Sequence, residues 1–180
     1  IMRHKTMLHA LEKANDTVFG LAGRQPEFRG MGTTLVGAFV QGREASILNV
    51  GDSRAYLFDG ETLRQVSEDH SYVEEMRRLG RISAEDARTH PQKNLITRAV
   101  GVDATVDGDL FEVELRDTDI LLLCSDGLTG MIEDEKIAEV LAKAGTLEDK
   151  GRELLTLALE GGGRDNITVA LFTRGAKQEA

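Results

Sequence analysis

Residues 33–66 read TTLVGAFVQGREASILNVGDSRAYLFDGETLRQV, and this stretch decides the fold class. Three runs rich in strand formers, 33–40, 45–50 and 54–58, are separated by Gln41-Gly42-Arg43 and by Gly51-Asp52-Ser53. Asp59-Gly60 then gives a two-residue hairpin signal, because both central positions of a type I′ turn take positive φ, and a fourth short strand follows at 63–66. Short strands joined by tight turns pair antiparallel, since parallel neighbours need a long crossover between them.

Outward from this block the period changes. Upstream, Met7, Leu11, Ala14, Val18 and Leu21 recur at steps of four and three, which predicts a helix over about residues 3–23 that stops near Gly23 and Pro26. Downstream, residues 71–94 are charged and poor in strand formers. They predict a helix at 72–79 and a second one starting at Ser83, where Asp86 completes a capping box. Strands resume at 109–115 and Ile120–Cys124; helices are expected at 134–144 and 146–159, the second with a Thr146/Asp149 box; a last strand is expected at 166–172. Strands grouped together, with helices before, between and after them, predict an α+β fold of antiparallel sheets. One domain is expected over residues 1–174, with a short disordered tail at 175–180. The sequence opens on Ile1 and enters helical periodicity at once, which predicts an N-terminally truncated chain.

Charge and composition narrow the partners. Twenty-two Lys and Arg stand against 31 Asp and Glu, a net charge of −9. That balance disfavours the phosphate backbone of nucleic acid and an anionic membrane surface. The apolar runs fall far short of the roughly 20 residues that cross a bilayer, and no secretory signal opens the sequence, so a cytoplasmic protein is expected. Cys124 is the only cysteine, so there is neither an internal disulfide nor a thiolate zinc cage, and it is expected to be a buried core residue. Any metal would need oxygen ligands.

Carboxylates are the candidates. Asp126 follows the apolar run Ile120–Cys124 and Asp165 precedes the last strand; if the two strands are antiparallel neighbours, both acids reach the same sheet edge. Gly127 backs one and Gly161 to Gly163 the other, letting the backbone turn sharply. Asp52 is a third candidate, in the turn after residues 45–50. Oxygen donors of this kind suit magnesium or manganese. The plainer reading is that each aspartate simply terminates a strand, a role that aspartate fills well.

Six stretches then stand in a telling order: Gly30-Met31-Gly32-Thr33-Thr34; Asn49-Val50-Gly51-Asp52-Ser53-Arg54-Ala55-Tyr56; Asp69-His70-Ser71; His90-Pro91-Gln92-Lys93-Asn94; Ser125-Asp126-Gly127-Leu128; and Gly163-Arg164-Asp165-Asn166-Ile167-Thr168. Together they resemble successive motifs of the PPM family, the type 2C metal-dependent serine/threonine protein phosphatases, and especially its small bacterial members. The resemblance implies a layered sandwich of two antiparallel sheets flanked by helices. It also implies a two-metal manganese or magnesium centre with Asp126 and Asp165 as ligands, and Asp52 as ligand to a third, weaker ion. Residues 71–94 match the family's mobile flap. The implied partners are phosphorylated proteins, among them a cognate Ser/Thr kinase or its substrates.

The family's upstream arginine motif, which grips the substrate phosphate, and its Asp-Gly motif, whose aspartate bridges the two metals, have no counterpart in this sequence. His4 and Lys5 fall near where the second would end. The complete domain is therefore expected to be a monomeric enzyme, and this chain alone to lack turnover and to self-associate. The reading of a different class is a binding module that recognises phosphoproteins without hydrolysing them. A cysteine phosphatase is excluded because position 130, six after Cys124, is Gly130, and the hydrolase order Ser…Asp…His finds no late histidine, since the four stand at 4, 9, 70 and 90. His70 is read as fixing the entry to the flap, and Arg164 as a solvated turn residue.

Overall fold

The structure, a computed structural model, describes residues 2–175. The elements are α1 (Met2–Arg24), a 3-10 turn (Pro26–Phe28), β1 (Leu35–Gln41), β2 (Glu44–Val50), β3 (Arg54–Phe58), β4 (Leu63–Gln65), α2 (Tyr72–Arg78), α3 (Ala84–Thr89), β5 (Asp109–Glu114), β6 (Ile120–Cys124), α4 (Asp126–Thr129), α5 (Asp134–Ala142), α6 (Leu147–Glu160) and β7 (Val169–Phe172). One sheet has the order β1-β2-β5 and the other β4-β3-β6-β7. The class is α+β with antiparallel sheets and helices, as the strand grouping predicts. Among the described residues no helix is long and apolar enough to cross a membrane.

The chain divides into two compact units. The first comprises Ile1–Phe39, Ser46–Ser53 and Glu68–Phe111. Its core gathers Leu11, Leu48, Val50 and Val100, with Met7, Ala14 and Val18 of the α1 stripe packed around them. The same helix buries a polar residue that the apolar stripe does not reveal. Asn15 is 1% exposed; its Nδ2 donates to the carbonyls of Asp103 and Ala104, and its Oδ1 accepts the Gly101 amide at 2.7 Å. Those three bonds satisfy the side chain and clip α1 to the loop after Val100, so the residue is tolerated in the core.

The second unit comprises Val40–Ala45, Arg54–Ser67 and Glu112–Ala180. β3 and β6 pair antiparallel with Tyr56 opposite Leu122, and β6 pairs with β7 with Cys124 opposite Val169. Tyr56, Leu122 and Cys124 share a core with Ile137, Val140 and Leu154 of α5 and α6. Tyr56 is fully buried, and its hydroxyl accepts from Arg54 Nη1 and donates to Asp134 Oδ1, both at 3.0 Å. Burial pushes that phenol well up, so it is a fixed structural donor. Cys124 is buried in the core, as expected.

Three local readings are corrected. Asp59-Gly60 does not form a type I′ turn: Gly60 has φ +99°, but no non-glycine residue among those described has positive φ. Residues 59–62 form a four-residue loop instead, with Phe58 opposite Leu63. The Asp59 carboxylate accepts the amides of Glu61 and Thr62 and the Thr62 hydroxyl, an arrangement that outcompetes the tighter hairpin. The last strand starts at Val169 and not at 166, because Asn166 and Thr168 bond to Ser125 as described below. Gly175, expected in the tail, lies in a turn with its amide donating to the Asp117 carbonyl at 3.0 Å; the rest of that tail lies outside the described residues.

Candidate functional site

Two acid-bearing segments meet where the β6–β7 ladder ends. Beyond the Cys124–Val169 pair, the Ser125 amide donates to the Thr168 carbonyl at 3.1 Å. The Ser125 hydroxyl accepts the Thr168 amide at 3.0 Å and donates to the Asn166 carbonyl at 3.3 Å. One side chain thus continues the ladder for two more residues. Gly127 completes the closure: a Cβ there would stand 2.3 Å from the Asn166 carbonyl oxygen, so only glycine lets the backbones approach this closely. Asp126 lies between Ser125 and Gly127, half-buried, as the first residue of α4. Asp165 adjoins Asn166, is exposed, and its Oδ1 accepts the Asn166 amide at 2.7 Å. The structure therefore brings the segments carrying Asp126 and Asp165 to one sheet edge. α4 was not foreseen: four residues are too few to show a helical period.

Asp52 belongs to the other compact unit and sits half-buried in the turn after β2. That turn is held by side chains from distant positions. Gly51 has φ +103°, and a Cβ there would stand 2.4 Å from Thr34 Cγ2. Its amide donates to His70 Nδ1 at 3.0 Å, and its carbonyl accepts the His70 amide at 2.9 Å and Asn49 Nδ2 at 3.2 Å. The Thr34 and Ser53 hydroxyls are 2.8 Å apart. An amide can only donate, so His70 Nδ1 carries no proton and the neutral ring holds it on Nε2; Arg98 Nη1, 3.0 Å from Nε2 and itself a donor, then bonds Asp109 and the Asp107 carbonyl and not the ring. Nε2 faces Asp109 Oδ2 at 3.1 Å, and Arg98 Nη1 bonds the other oxygen of the same carboxylate at 2.8 Å. Burial alone would raise the Asp109 carboxyl, but the hydrogen bonds from His70 and Arg98, with the charge of Arg98, outweigh it and keep it below the ordinary range.

The segment expected as a flap carries α2 and α3, with Val73 the only buried residue of the two helices and Ser71 and Ser83 as their N-caps. The Ser83/Asp86 capping box is present as read. Arg164 is exposed.

Among the described residues no three His, Cys, Asp or Glu side chains converge on a point that could hold a metal ion. The donor chemistry of the edge nonetheless fits a hard cation. Magnesium and manganese take one or two carboxylates and keep several waters, and Asp126 and Asp165 lie on locked, neighbouring backbone with oxygen donors only.

Comparison with known proteins gives a consistent result. The family profile described as Protein phosphatase 2C matches residues 3–159. The Serine/threonine phosphatase stp of Listeria welshimeri is 44% identical over 169 residues, covering 94% of this chain and 67% of the relative. Protein phosphatase PhpP of Streptococcus pneumoniae is 41% identical over 165 residues, covering 92% of this chain and 67% of its own length. Among solved structures, serine/threonine phosphatase Stp1 from Staphylococcus aureus superposes with a TM-score of 0.91 at 40% identity, over 94% of this chain and 67% of that one. The catalytic domain of the serine/threonine protein phosphatase PstP, in complex with two manganese ions, gives 0.83 at 34% identity, over 92% of this chain and 68% of that one. This chain spans about two thirds of the length of these relatives.

Proposed function

From the premise that this chain belongs to the protein phosphatase 2C family, we propose that it is the part of a serine/threonine protein phosphatase that carries the Asp126 and Asp165 side of a manganese or magnesium centre. The observation behind this reading is the Ser125–Thr168 lacing, which holds two carboxylates at one edge of a rigid sheet. When bound, such ions supply an activated water at neutral pH and offset the negative charge of the phosphoryl group. The chain's own residues do the positioning. Asp126 and Asp165 hold the ions, Ser125 and Gly127 keep the two backbones in register, and Asp52 is assigned to a third, more weakly held ion.

The substrates are phosphoserine and phosphothreonine side chains of proteins, a cognate Ser/Thr kinase or its targets among them. We place the activity in the cytoplasm, in a single phosphatase domain extending to residue 174, monomeric when complete. That no three His, Cys, Asp or Glu side chains converge among the described residues supports the further reading that residues 1–180 alone hold at most one ion weakly, turn over poorly and self-associate. No observation favours a binding module without turnover in the complete protein.

The test is hydrolysis of a phosphothreonine peptide with manganese, by the 180-residue chain and by the chain extended to the length of its relatives. Manganese-dependent turnover is expected only from the extended chain. Full activity of that chain in excess EDTA would overturn the mechanism, and metal-dependent turnover by a monodisperse 180-residue chain would overturn the assignment of its ligands as incomplete.

A further inference from the structure

The proposed mechanism leaves one buried group unused. His70 is 7% exposed, and both ring nitrogens and its backbone amide are committed to hydrogen bonds. A solvated loop histidine needs none of this, and nothing in the local sequence calls for it. The ring spans from the Gly51 amide at one nitrogen to the Asp109 carboxylate at the other. At the same residue the backbone is anchored on both sides. The His70 amide donates to the Gly51 carbonyl, and the His70 carbonyl accepts the Thr97 amide at 2.8 Å. One step further, the Tyr72 amide donates to the Leu95 carbonyl at 2.9 Å, closing the root of residues 71–94.

We infer that His70 is a positioning residue for the Gly51-Asp52-Ser53 turn: its neutral Nδ1, fixed by the Nε2–Asp109 contact, holds the Gly51 amide and so aims the Asp52 carboxylate. Gly51 is the pivot of this arrangement. With φ at +103° it sits in a region that glycine alone enters cheaply, but glycine is also the residue least able to stay there unaided. Two hydrogen bonds to one buried residue supply the restraint, and Asp109, itself held by Arg98, keeps the ring from turning. The sense of the device follows from geometry: a ring turned over would present Cδ2–H to the Gly51 N–H, and the other tautomer would present Nδ1–H, and either loses the bond. The functional weight of the inference rests on the assignment of Asp52 to an ion.

The experiment uses the isotope-labelled chain, extended to the length of its relatives, and two conservative variants. His70→Asn places an amide oxygen near the position of Nδ1, and His70→Gln places its amide near Nε2. In the wild type, a scalar coupling across the Gly51 N–H to Nδ1 bond is expected, with the imidazole proton on Nε2. His70→Gln is expected to speed hydrogen exchange at the Gly51 amide by about tenfold, the scale of one lost hydrogen bond, while His70→Asn restores protection. Manganese(II) is then titrated and the broadening of the 51–53 amides is followed. His70→Gln should need about tenfold more ion on the same scale, and His70→Asn close to the wild-type amount. Equal exchange in all three proteins, or a ring protonated on Nδ1, overturns the positioning role. Broadening that is absent, or that survives Asp52→Asn, overturns Asp52 as a ligand, while the exchange result still decides the role of His70 in the turn.

Discussion

The turns Ser125-Asp126-Gly127 and Gly51-Asp52-Ser53 look alike in sequence, each an aspartate beside a glycine at the end of an apolar strand, yet they are held by different means. The first is an extension of a sheet: the β6–β7 ladder runs on through the Ser125 backbone and hydroxyl to Thr168 and Asn166. The second has no ladder and is gripped by His70, Asn49 and Thr34, which lie 2 to 19 residues away along the chain. A turn built on a ladder inherits the stiffness of the sheet. A turn built on side chains is only as rigid as the packing behind each of them.

The contrast can be broken most forcefully through the acids themselves. Asp126→Ala or Asp165→Ala, in the chain extended to its relatives' length, is expected to cut phosphopeptide hydrolysis about a thousandfold or more, because each removes charge from the metal cage. Asp52→Ala is expected to cost about ten- to a hundredfold and to leave two tight ions in a manganese calorimetric titration, as for a supporting ligand. Loss of those two ions in Asp52→Ala would show that the side-chain-held turn belongs to the main centre.

Stability sharpens the same comparison at smaller amplitude. Gly127→Ala places a Cβ 2.3 Å from the backbone carbonyl of Asn166, and Gly51→Ala places one 2.4 Å from Thr34 Cγ2. Each is expected to cost about 1–3 kcal/mol in urea unfolding. They part in how they can be relieved. Thr34→Ser removes the methyl that most obstructs Gly51→Ala and should recover part of its loss, the remainder being the contact with the Thr34 Cβ at 2.8 Å and the strain of φ +103°. The obstacle at Gly127 is main chain, so no side-chain substitution among residues 166–168 should rescue it. A Thr34→Ser effect that is additive with Gly51→Ala would deny that the two residues touch.

How far each region was legible follows from the same distinction. β3 and β6 fall at the residues read from the sequence, and the Ser83 and Thr146 capping boxes form as written, because strand runs and caps are decided within a few neighbours. The convergence of the segments bearing Asp126 and Asp165 was legible too, since an antiparallel pair brings the end of one strand beside the start of the next. What escaped was long-range side-chain bonding. Asn15 reads as an ordinary polar helix residue until the 101–104 loop arrives to meet it. His70 reads as fixing the entry to the flap, but the ring bonds to Gly51 and Asp109 through which it is held appear only in the structure. The late start of β7 has the same origin: residues 166–168 have strand propensity, but the Ser125 hydroxyl takes the Thr168 amide.

A third Asp-Gly turn, Asp59-Gly60, supplies the finest test, because it is held by the aspartate itself. The Asp59 carboxylate accepts from the amides of Thr62 and Glu61 and from the Thr62 hydroxyl, and these bonds, the Thr62 amide foremost, lower its pKa from 3.8 to about 2. A carboxyl whose folded pKa is depressed contributes stability that is complete above its unfolded value and is lost as the pH falls through the folded one. The contribution of this loop should therefore persist at pH 5 and fade between about pH 4 and 2. At the Ser125 turn the lacing bonds are made by a hydroxyl and by backbone groups, none of which ionises in that range. Following the Asp59 carboxyl carbon and the Glu61 and Thr62 amides by NMR from pH 5 downward should show one shared midpoint near 2. In Asp59→Asn, which keeps an acceptor oxygen but carries no charge, those amides should show no such step. A midpoint near 4, shared with exposed carboxylates, would mean that the three hydrogen bonds do not persist in solution, and that the loop is held by strand pairing alone.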